Sequence, residues 1–365
     1  MDSTRTYKTI FTYGWHENLA KQFEPYENLG YIPMRIVRQG RGLYRGVSGD
    51  ASLLLELSGS FLNLQDLGIQ QSPVVGDWCA VRQYASDRGR IEAVLPRMNV
   101  LHRPVAHDRQ GSNGVEGSAK LVAANIDMAA IIQDCRYDFN LRRIERFLSL
   151  LHADSIPAIL VLTKIDLVED PEAYRLRSLA RFPQCRVFPV DSISGNGIDA
   201  LVEALLPTTT TVLLGTSGAG KSTLVNRLSG HVVAKTADIR TQDGRGRHTT
   251  TSRHLHLLPH GALILDTPGI RVVGMNGSQE LVHDAFTDIS DLSHGCRFSD
   301  CTHTGEPGCR VLQALREGLI EQDRYFNYPR LGKEAQSWEE VVRQRKQKKK
   351  AIGMLQYRLR REGNL

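Results

Sequence analysis

The sequence predicts a multidomain chain: a small antiparallel β-barrel, then a larger α/β domain built on a parallel sheet, then a short segment that needs a metal to fold. Three observations carry this. Residues 34–104 hold short β-prone runs separated by Gly, Asp and Ser turn signals. From residue 121 onward, apolar strands alternate with helical periods. Cys296, Cys301, His303 and Cys309 then fall within 14 residues.

A length of 365 residues fits two or three domains, and 41% hydrophobic with 24% charged residues is ordinary for a globular chain. The first residues, MDSTRTYKTIFTYGWHENLA, contain no apolar leader, so the expected location is cytoplasmic. Even LVAANIDMAAII (121–132) is interrupted by Asn125 and Asp127, so no membrane span is expected. The net charge of +6 is concentrated in RQRKQKKK (343–350) and RLRR (358–361), which read either as a phosphate-backbone footprint or as a solvated, partly helical tail. Cys79, Cys135 and Cys185 stand alone in apolar settings and read as buried small hydrophobes.

Residues 1–34 show no strong periodicity and form an N-terminal extension. The barrel, of the OB type, is expected over 35–105. Arg35, Arg38, Arg41, Tyr44 and Arg45 suit nucleic acid there, or are merely solvated. The polar, glycine-rich stretch 106–120 is a linker. Over 121–280 the order runs IDMAAII, NLRRIERFLSLLHA, AILVLTKI, PEAYRLRSLARF, RVFPV, GIDALVEAL and TTVLLG, alternating strand and helix. In the first helix Leu141, Ile144, Phe147, Leu148 and Leu151 line one face, with Asn140 as N-cap. A zinc-binding domain is expected over 281–340 and a basic tail over 341–365.

VLLGTSGAGKST places Gly215-x-x-x-x-Gly220-Lys221-Ser222 between a strand and a helix, the context of a phosphate-binding loop. Glycines let the backbone turn its N–H groups toward a β-phosphate, and Lys221 adds a point charge near the β and γ oxygens. Ser222 offers a hydroxyl to Mg²⁺. Gly215, Thr216, Ser217, Gly218, Ala219, Gly220, Lys221, Ser222 and Thr223 are the candidate loop residues. Downstream, ALILDTPGI ends a buried strand at Asp266, where a carboxylate orders the metal through water, and the Gly269 N–H can meet a γ-phosphate.

Guanine presents two donors, N1–H and its N2 amine, which match the two oxygens of a carboxylate and mismatch adenine. TKID (163–166) supplies that carboxylate in Asp166, with Lys164 along the ring. Thr163 stands where GTPases usually carry Asn, and its single hydroxyl makes fewer local bonds. DSISGNG (191–197) resembles the loop whose backbone N–H contacts the guanine carbonyl, through Ser192. These base-reading segments precede the phosphate loop, the reverse of the usual order. A doubly wound sheet gathers ligands at its strand ends wherever the chain begins, so the domain is a circularly permuted α/β P-loop GTPase domain.

On GDW (76–78), FNLRRIER (139–146), TKID, GTSGAGKST, GRHTTT (246–251), DTPG and CTHTGEPGC (301–309), the chain resembles the ribosome small subunit-dependent GTPases, the RsgA or YjeQ family, over residues 34–330. The resemblance implies slow intrinsic GTP hydrolysis stimulated by the small (30S) ribosomal subunit, and use in that subunit's late maturation. The partners are then that subunit with its rRNA and GTP/GDP, without membrane, for a monomer. Ile270 stands where Ras-like enzymes carry a water-orienting Gln and cannot hydrogen-bond water. By the resemblance, His248 is the candidate for that catalytic role, or else an RNA contact or loop cap, and Thr250 or a neighbouring Thr meets the metal and γ-phosphate.

Cys296-x₄-Cys301-x-His303-x₅-Cys309 offers four soft ligands for one tetrahedral structural Zn²⁺ per chain. Disulfides fit less well, since three cysteines leave one over. A second function class also stands, a zinc-stabilised RNA-binding protein in which nucleotide is only a regulatory ligand. A third is a nucleic-acid ATPase.

Overall fold

The computed structural model describes residues 10–40, 42–103, 120–233, 253–266, 286–322, 324–326 and 328–329. Within it, β1 (Ile32–Gln39), β2 (Tyr44–Ser48), β3 (Ala51–Leu57), β4 (Trp78–Gln83) and β5 (Arg88–Val94) form a closed barrel. Antiparallel β1–β2, β2–β3 and β4–β5 pairs and the parallel β3–β5 pair are closed by β1 against β4, with Met34 opposite Cys79. Met34, Ile36, Leu55, Cys79, Val81 and Ile91 fill the interior.

Two helices complete this part. α1 (Glu17–Glu27) is an element that the sequence pattern does not announce, and α2 (Gly59–Asp66) follows β3. The hydroxyl of Ser58 caps α2 by accepting from Phe61 N at 3.1 Å. α1 buries Leu19 and Phe23 beside Ile10, Trp15, Trp78, Ala80, Ala93 and Leu95. This second apolar cluster explains why β4 is buried at four consecutive positions: Cys79 and Val81 face the barrel interior, while Trp78 and Ala80 face α1. Trp15 meets Trp78 edge-on at 4.7 Å between ring centroids.

After β6 (Val100–Arg103) and β7 (Lys120–Ala124), which pair with each other, come β8 (Met128–Asp134), α3 (Leu141–Ala153), β9 (Ala158–Thr163), α4 (Pro171–Arg181), β10 (Arg186–Val190), α5 (Ile198–Ala204), β11 (Thr210–Leu214), α6 (Lys221–Ser229), β12 (His254–Leu257) and β13 (Leu263–Asp266). The strand order is β10-β9-β8-β11-β13-β12, parallel except for β12. β8 leads outward to β9 and β10, whereas β11 leads the other way to β13 and β12. The order therefore reverses between β8 and β11, and a ligand crevice belongs at their carboxyl ends. Val161, Val190, Leu213 and Ile264 of the sheet pack with Ile198, Leu201, Leu224 and Val225 of α5 and α6.

β12 also pairs with barrel strand β1, Arg38 opposite His254, so one sheet runs from the α/β layer into the barrel. The GDW triplet packs the barrel against β7. Gly76 (φ +95°) lies so close to the neighbouring chain that a Cβ would sit 2.1 Å from the Ala124 carbonyl oxygen. Asp77 is buried, accepts from Arg97 Nε and Nη2 at 2.7 Å each, and accepts from Val74 N at 2.7 Å.

Arg35 and Tyr44 correct the sequence reading, because both are buried and neither faces solvent for nucleic acid. Arg35 donates to the carbonyl oxygens of Gly76 (3.3 Å), Asn125 (3.1 Å) and Tyr13, and to Thr210 Oγ1 (2.8 Å). It thereby ties N-terminal segment, barrel and the first residue of β11. Burial lowers its pKa to about 10, with Asp127 and Asp77 opposing the shift.

The contacts define a second unit, residues 103–120, 142–153 and 272–365. Its described part contains most of α3, with α7 (Thr287–Ser293) and α8 (Arg310–Arg316). Phe286, Ile289, Val311, Ala314, Ile320, Tyr325 and Tyr328 form the core. On α3, Ile144, Phe147, Leu150 and Leu151 are buried, and so is Glu145, whose Oε1 accepts from Arg324 Nη1 at 2.7 Å. Arg324 also donates from Nε to Asp288 Oδ2 at 2.6 Å, so one guanidinium joins α3 to α7.

Candidate nucleotide site and metal cluster

The loop after β11 turns on Gly215, Gly218 and Gly220, all at positive φ. A Cβ at Gly215 would lie 2.5 Å from the Ile132 carbonyl oxygen, so the loop can leave the sheet this closely only through glycine. Gly220 is the N-cap of α6, and Lys221, Ser222 and Thr223 make its first turn. The N-terminal end of a helix, with its first-turn N–H groups and the positive end of its dipole, suits an anion. Ser217 and Gly218 are exposed.

Lys221 Nζ donates to the Gly215 and Thr216 carbonyl oxygens at 2.8 and 2.6 Å. Burial pushes its pKa down to about 8, with Asp266 opposing the shift. Asp266 ends β13 beside Leu213 of β11, is buried, and has its pKa raised by that burial, against the pull of Lys221. Across the strand pair stands His254, whose pKa burial lowers to about 4.

The segments expected to read the base, TKID and DSISGNG, follow β9 and β10. Thr163 ends β9, is 1% exposed, and its Oγ1 donates to the Ala219 carbonyl at 2.8 Å, with the Gln133 carbonyl at 3.3 Å. TKID is thus held directly against the phosphate loop. Lys164 adopts a left-handed conformation (φ +59°), and its Nζ reaches Asp134 Oδ2 at 2.6 Å. Asp166 follows in a short 3₁₀ turn, Ile165–Leu167, and is exposed. After β10, buried Asp191 accepts from the backbone N–H of Ile193 (2.8 Å) and Ser194 (3.1 Å). The bond from the Ser194 hydroxyl leads the interactions that lower its pKa. The Ser192 Oγ is buried with no partner among the described residues. Arg227 of α6 holds this loop through the Ser194 carbonyl at 3.0 Å.

Two residues missed by the sequence reading complete the crevice. Asp134, at the end of β8, accepts from Arg136 N and Tyr137 N as well as from Lys164. Asp138 Oδ2 accepts from Thr216 Oγ1 at 3.0 Å. Their signal was position, since carboxylates just past the strand beside the topological switch point border the ligand crevice. His248, Thr250 and Gly269 lie outside the described residues.

In the second unit, Cys296, Cys301, His303 and Cys309 bring their ligand atoms within 4.8 Å of one another. Cys296 Sγ lies 3.6 Å from His303 Nδ1 and 3.9 Å from Cys309 Sγ, and Cys309 Sγ lies 3.4 Å from His303 Nδ1. Tetrahedral bonds of ~2.0–2.3 Å separate ligands by roughly 3.5–3.8 Å, so the set fits a metal ion. Outer contacts fix two of the ligands: Tyr325 donates its hydroxyl to the His303 carbonyl at 2.5 Å, and Leu312 N donates to Cys309 Sγ at 3.4 Å. Between the ligands, Glu306 accepts from Thr302 N (2.7 Å) and Thr304 N (2.9 Å), which pins the turn.

A glycine loop opening a helix, an acidic strand end beside it, and a TKID segment that comes earlier in the chain but bonds to that loop are the marks of a circularly permuted P-loop GTPase. Residues 94–276 match the family described as RsgA GTPase. A Methanosarcina acetivorans protein named small ribosomal subunit biogenesis GTPase RsgA is 39% identical over 87% of this chain and 83% of its own length. A Leptospira interrogans protein of the same name is 34% identical over 97% and 98%. The crystal structure of YjeQ from Thermotoga maritima superposes with a TM-score of 0.59 at 27% identity, covering 84% of this chain and 98% of that one. The structure of YloQ, a circularly permuted GTPase, shares the fold, with a TM-score of 0.56 at 24% identity over 84% and 96%. The chain belongs to the RsgA GTPase family and is a GTPase.

Proposed function

We propose that this GTPase serves biogenesis of the small ribosomal subunit: it binds the 30S particle, hydrolyses GTP slowly alone and faster on the subunit, and acts late in maturation. Asp166 accepts the guanine N1–H and N2 amine, Lys164 flanks the ring, and Ser192 meets the carbonyl. Residues 215–223 hold the phosphates, with Lys221 as the charge and Ser222 on Mg²⁺ near Asp266. Thr250 and Gly269 receive the γ-phosphate, and His248 orients the attacking water. The observation that carries the nucleotide reading is the Thr163–Ala219 hydrogen bond, which locks the base-reading segment onto the phosphate loop.

Relatives named for small-subunit biogenesis, similar over most of their length, support the subunit as partner. Exposed arginines on the barrel support rRNA there: Arg38, Arg45 and Arg88 are exposed, and Arg82 and Arg90, also exposed, pair with Glu92 and Glu56, with Arg90 4.9 Å over Tyr84. Zn²⁺ is the ion best suited to the Cys₃His set. The domain plan is a barrel over 35–105, the permuted domain over 121–280 and the zinc domain over 281–340, acting as a cytoplasmic monomer.

The test is GTP turnover by the full chain with and without purified small subunits. Stimulation of about 10²-fold or more is expected, in line with completion of a switch site. Equal rates would favour an RNA-binding protein with a nucleotide ligand.

A further inference from the structure

We infer that this site reads the Watson–Crick edge of guanine and leaves N7 unread, and that Thr163 sets this specificity. The inference deepens the nucleotide site proposed above and rests on it. Guanine presents donors at N1 and N2 and acceptors at O6 and N7. An Asn at the head of the base-reading segment would carry two amide hydrogens, so it could hold a loop carbonyl with one and still donate the other.

A threonine hydroxyl has a single hydrogen. That of Thr163 lies between two acceptors, the carbonyl oxygens of Ala219 at 2.8 Å and Gln133 at 3.3 Å, and the residue is 1% exposed. The proton is committed to backbone, and none remains for a purine. Two neighbouring donors are turned toward carboxylates. Lys164 Nζ is held by Asp134 at 2.6 Å, and the Ser194 hydroxyl bonds to Asp191. Ser192 Oγ, by contrast, is buried and without a partner among the described residues, whereas Asn196, the other amide or hydroxyl side chain of that loop, is exposed. O6 adjoins the N1–H that Asp166 accepts, and it takes the Ser192 donor. Discrimination thus falls on N1, N2 and O6, and replacement of N7 by carbon is tolerated.

The probe is 7-deaza-GDP, titrated with Mg²⁺ against GDP and ADP on the full chain. The expected result is 7-deaza-GDP binding within about threefold of GDP, with ADP far weaker, because no hydrogen bond is lost at N7. Thr163→Asn supplies a second donor and should create a preference of roughly 3- to 10-fold for GDP over 7-deaza-GDP. A wild-type preference of about tenfold or more for GDP over 7-deaza-GDP overturns the inference, whether or not the variant folds. So does a folded Asn variant that gains no preference. ADP binding as tightly as GDP strikes instead at the base site itself, and N7 selectivity falls with it.

Discussion

Raising the pH from 7 to 9 should weaken nucleotide binding through Lys221. Burial among the Gly215 and Thr216 carbonyls holds the pKa of this amine at about 8, against the pull of Asp266. A bound phosphate chain brings negative charge beside it and returns the pKa toward its ordinary value of about 10.4. Above pH 8 the free protein has lost the proton while the complex keeps it, so binding takes a proton up. About half a proton per nucleotide is expected at pH 8, rising to about nine-tenths at pH 9, with affinity down about tenfold from pH 7. Below pH 7 both states are protonated and this contribution is flat. The sign for folding is opposite: between pH 8 and about 10.4 the unfolded chain binds more protons, so the nucleotide-free protein gains stability from this group as pH rises. Calorimetric titration of GDP in buffers of different ionisation enthalpy measures the uptake directly. Lys221→Arg should abolish it, since a guanidinium keeps its charge. A flat affinity from pH 7 to 9 with no proton uptake at pH 8 would refute the reasoning.

Three further outcomes are expected. Gly76→Ala forces a Cβ to within 2.1 Å of the Ala124 carbonyl oxygen at φ +95°; a loss of about 2–4 kcal/mol in urea unfolding follows, and a loss under about 0.5 kcal/mol would contradict the close approach. Arg35→Met takes this donor from the Asn125 carbonyl and Thr210 Oγ1 and leaves the Gly76 carbonyl with the Asn125 amide alone. It should cost about 2–4 kcal/mol by the same assay, and an unchanged midpoint would show that the buried guanidinium is dispensable. The purified chain should carry one tetrahedral metal, and chelation should melt the helices around Phe286 and Val311, seen as lost helical circular dichroism and a lower Tm. A metal-free preparation with full helical signal would remove the structural role of the cluster.

Local chemistry was the legible part of the sequence. The glycine run 215–220 opens α6, Asp266 ends β13, and Cys296, Cys301, His303 and Cys309 gather their ligand atoms, and each of these patterns depends on residues near one another in the chain. Helix α1 escaped because its buried face is Leu19 and Phe23 with a Pro25 inside, too short and too aromatic to print an aliphatic 3.6-residue period. Tyr44 read as a surface residue because a sequence does not reveal which end residue of a strand turns into the barrel interior, and Arg35 because it does not reveal which strand acquires a second covered face. β1 is packed on both sides, by the barrel interior and by the junction at Gly76 and Thr210. Asp134 and Asp138 went unremarked for a related reason. Their partners, Lys164 and Thr216, are distant in sequence and adjacent only once β8, β9 and β11 lie side by side.

The central claim is that Asp166 and Lys221, carried by segments in permuted order, serve one nucleotide. Xanthine has a carbonyl where guanine has its N2 amine, so an amide at residue 166 complements xanthine and mismatches guanine. Nucleotide binding by wild type and Asp166→Asn, measured with GTP and XTP, tests the claim directly. The account predicts that the variant loses GTP by about 10²-fold or more and gains XTP, with its phosphate contacts intact. A variant that still binds GTP as the wild type does would contradict it.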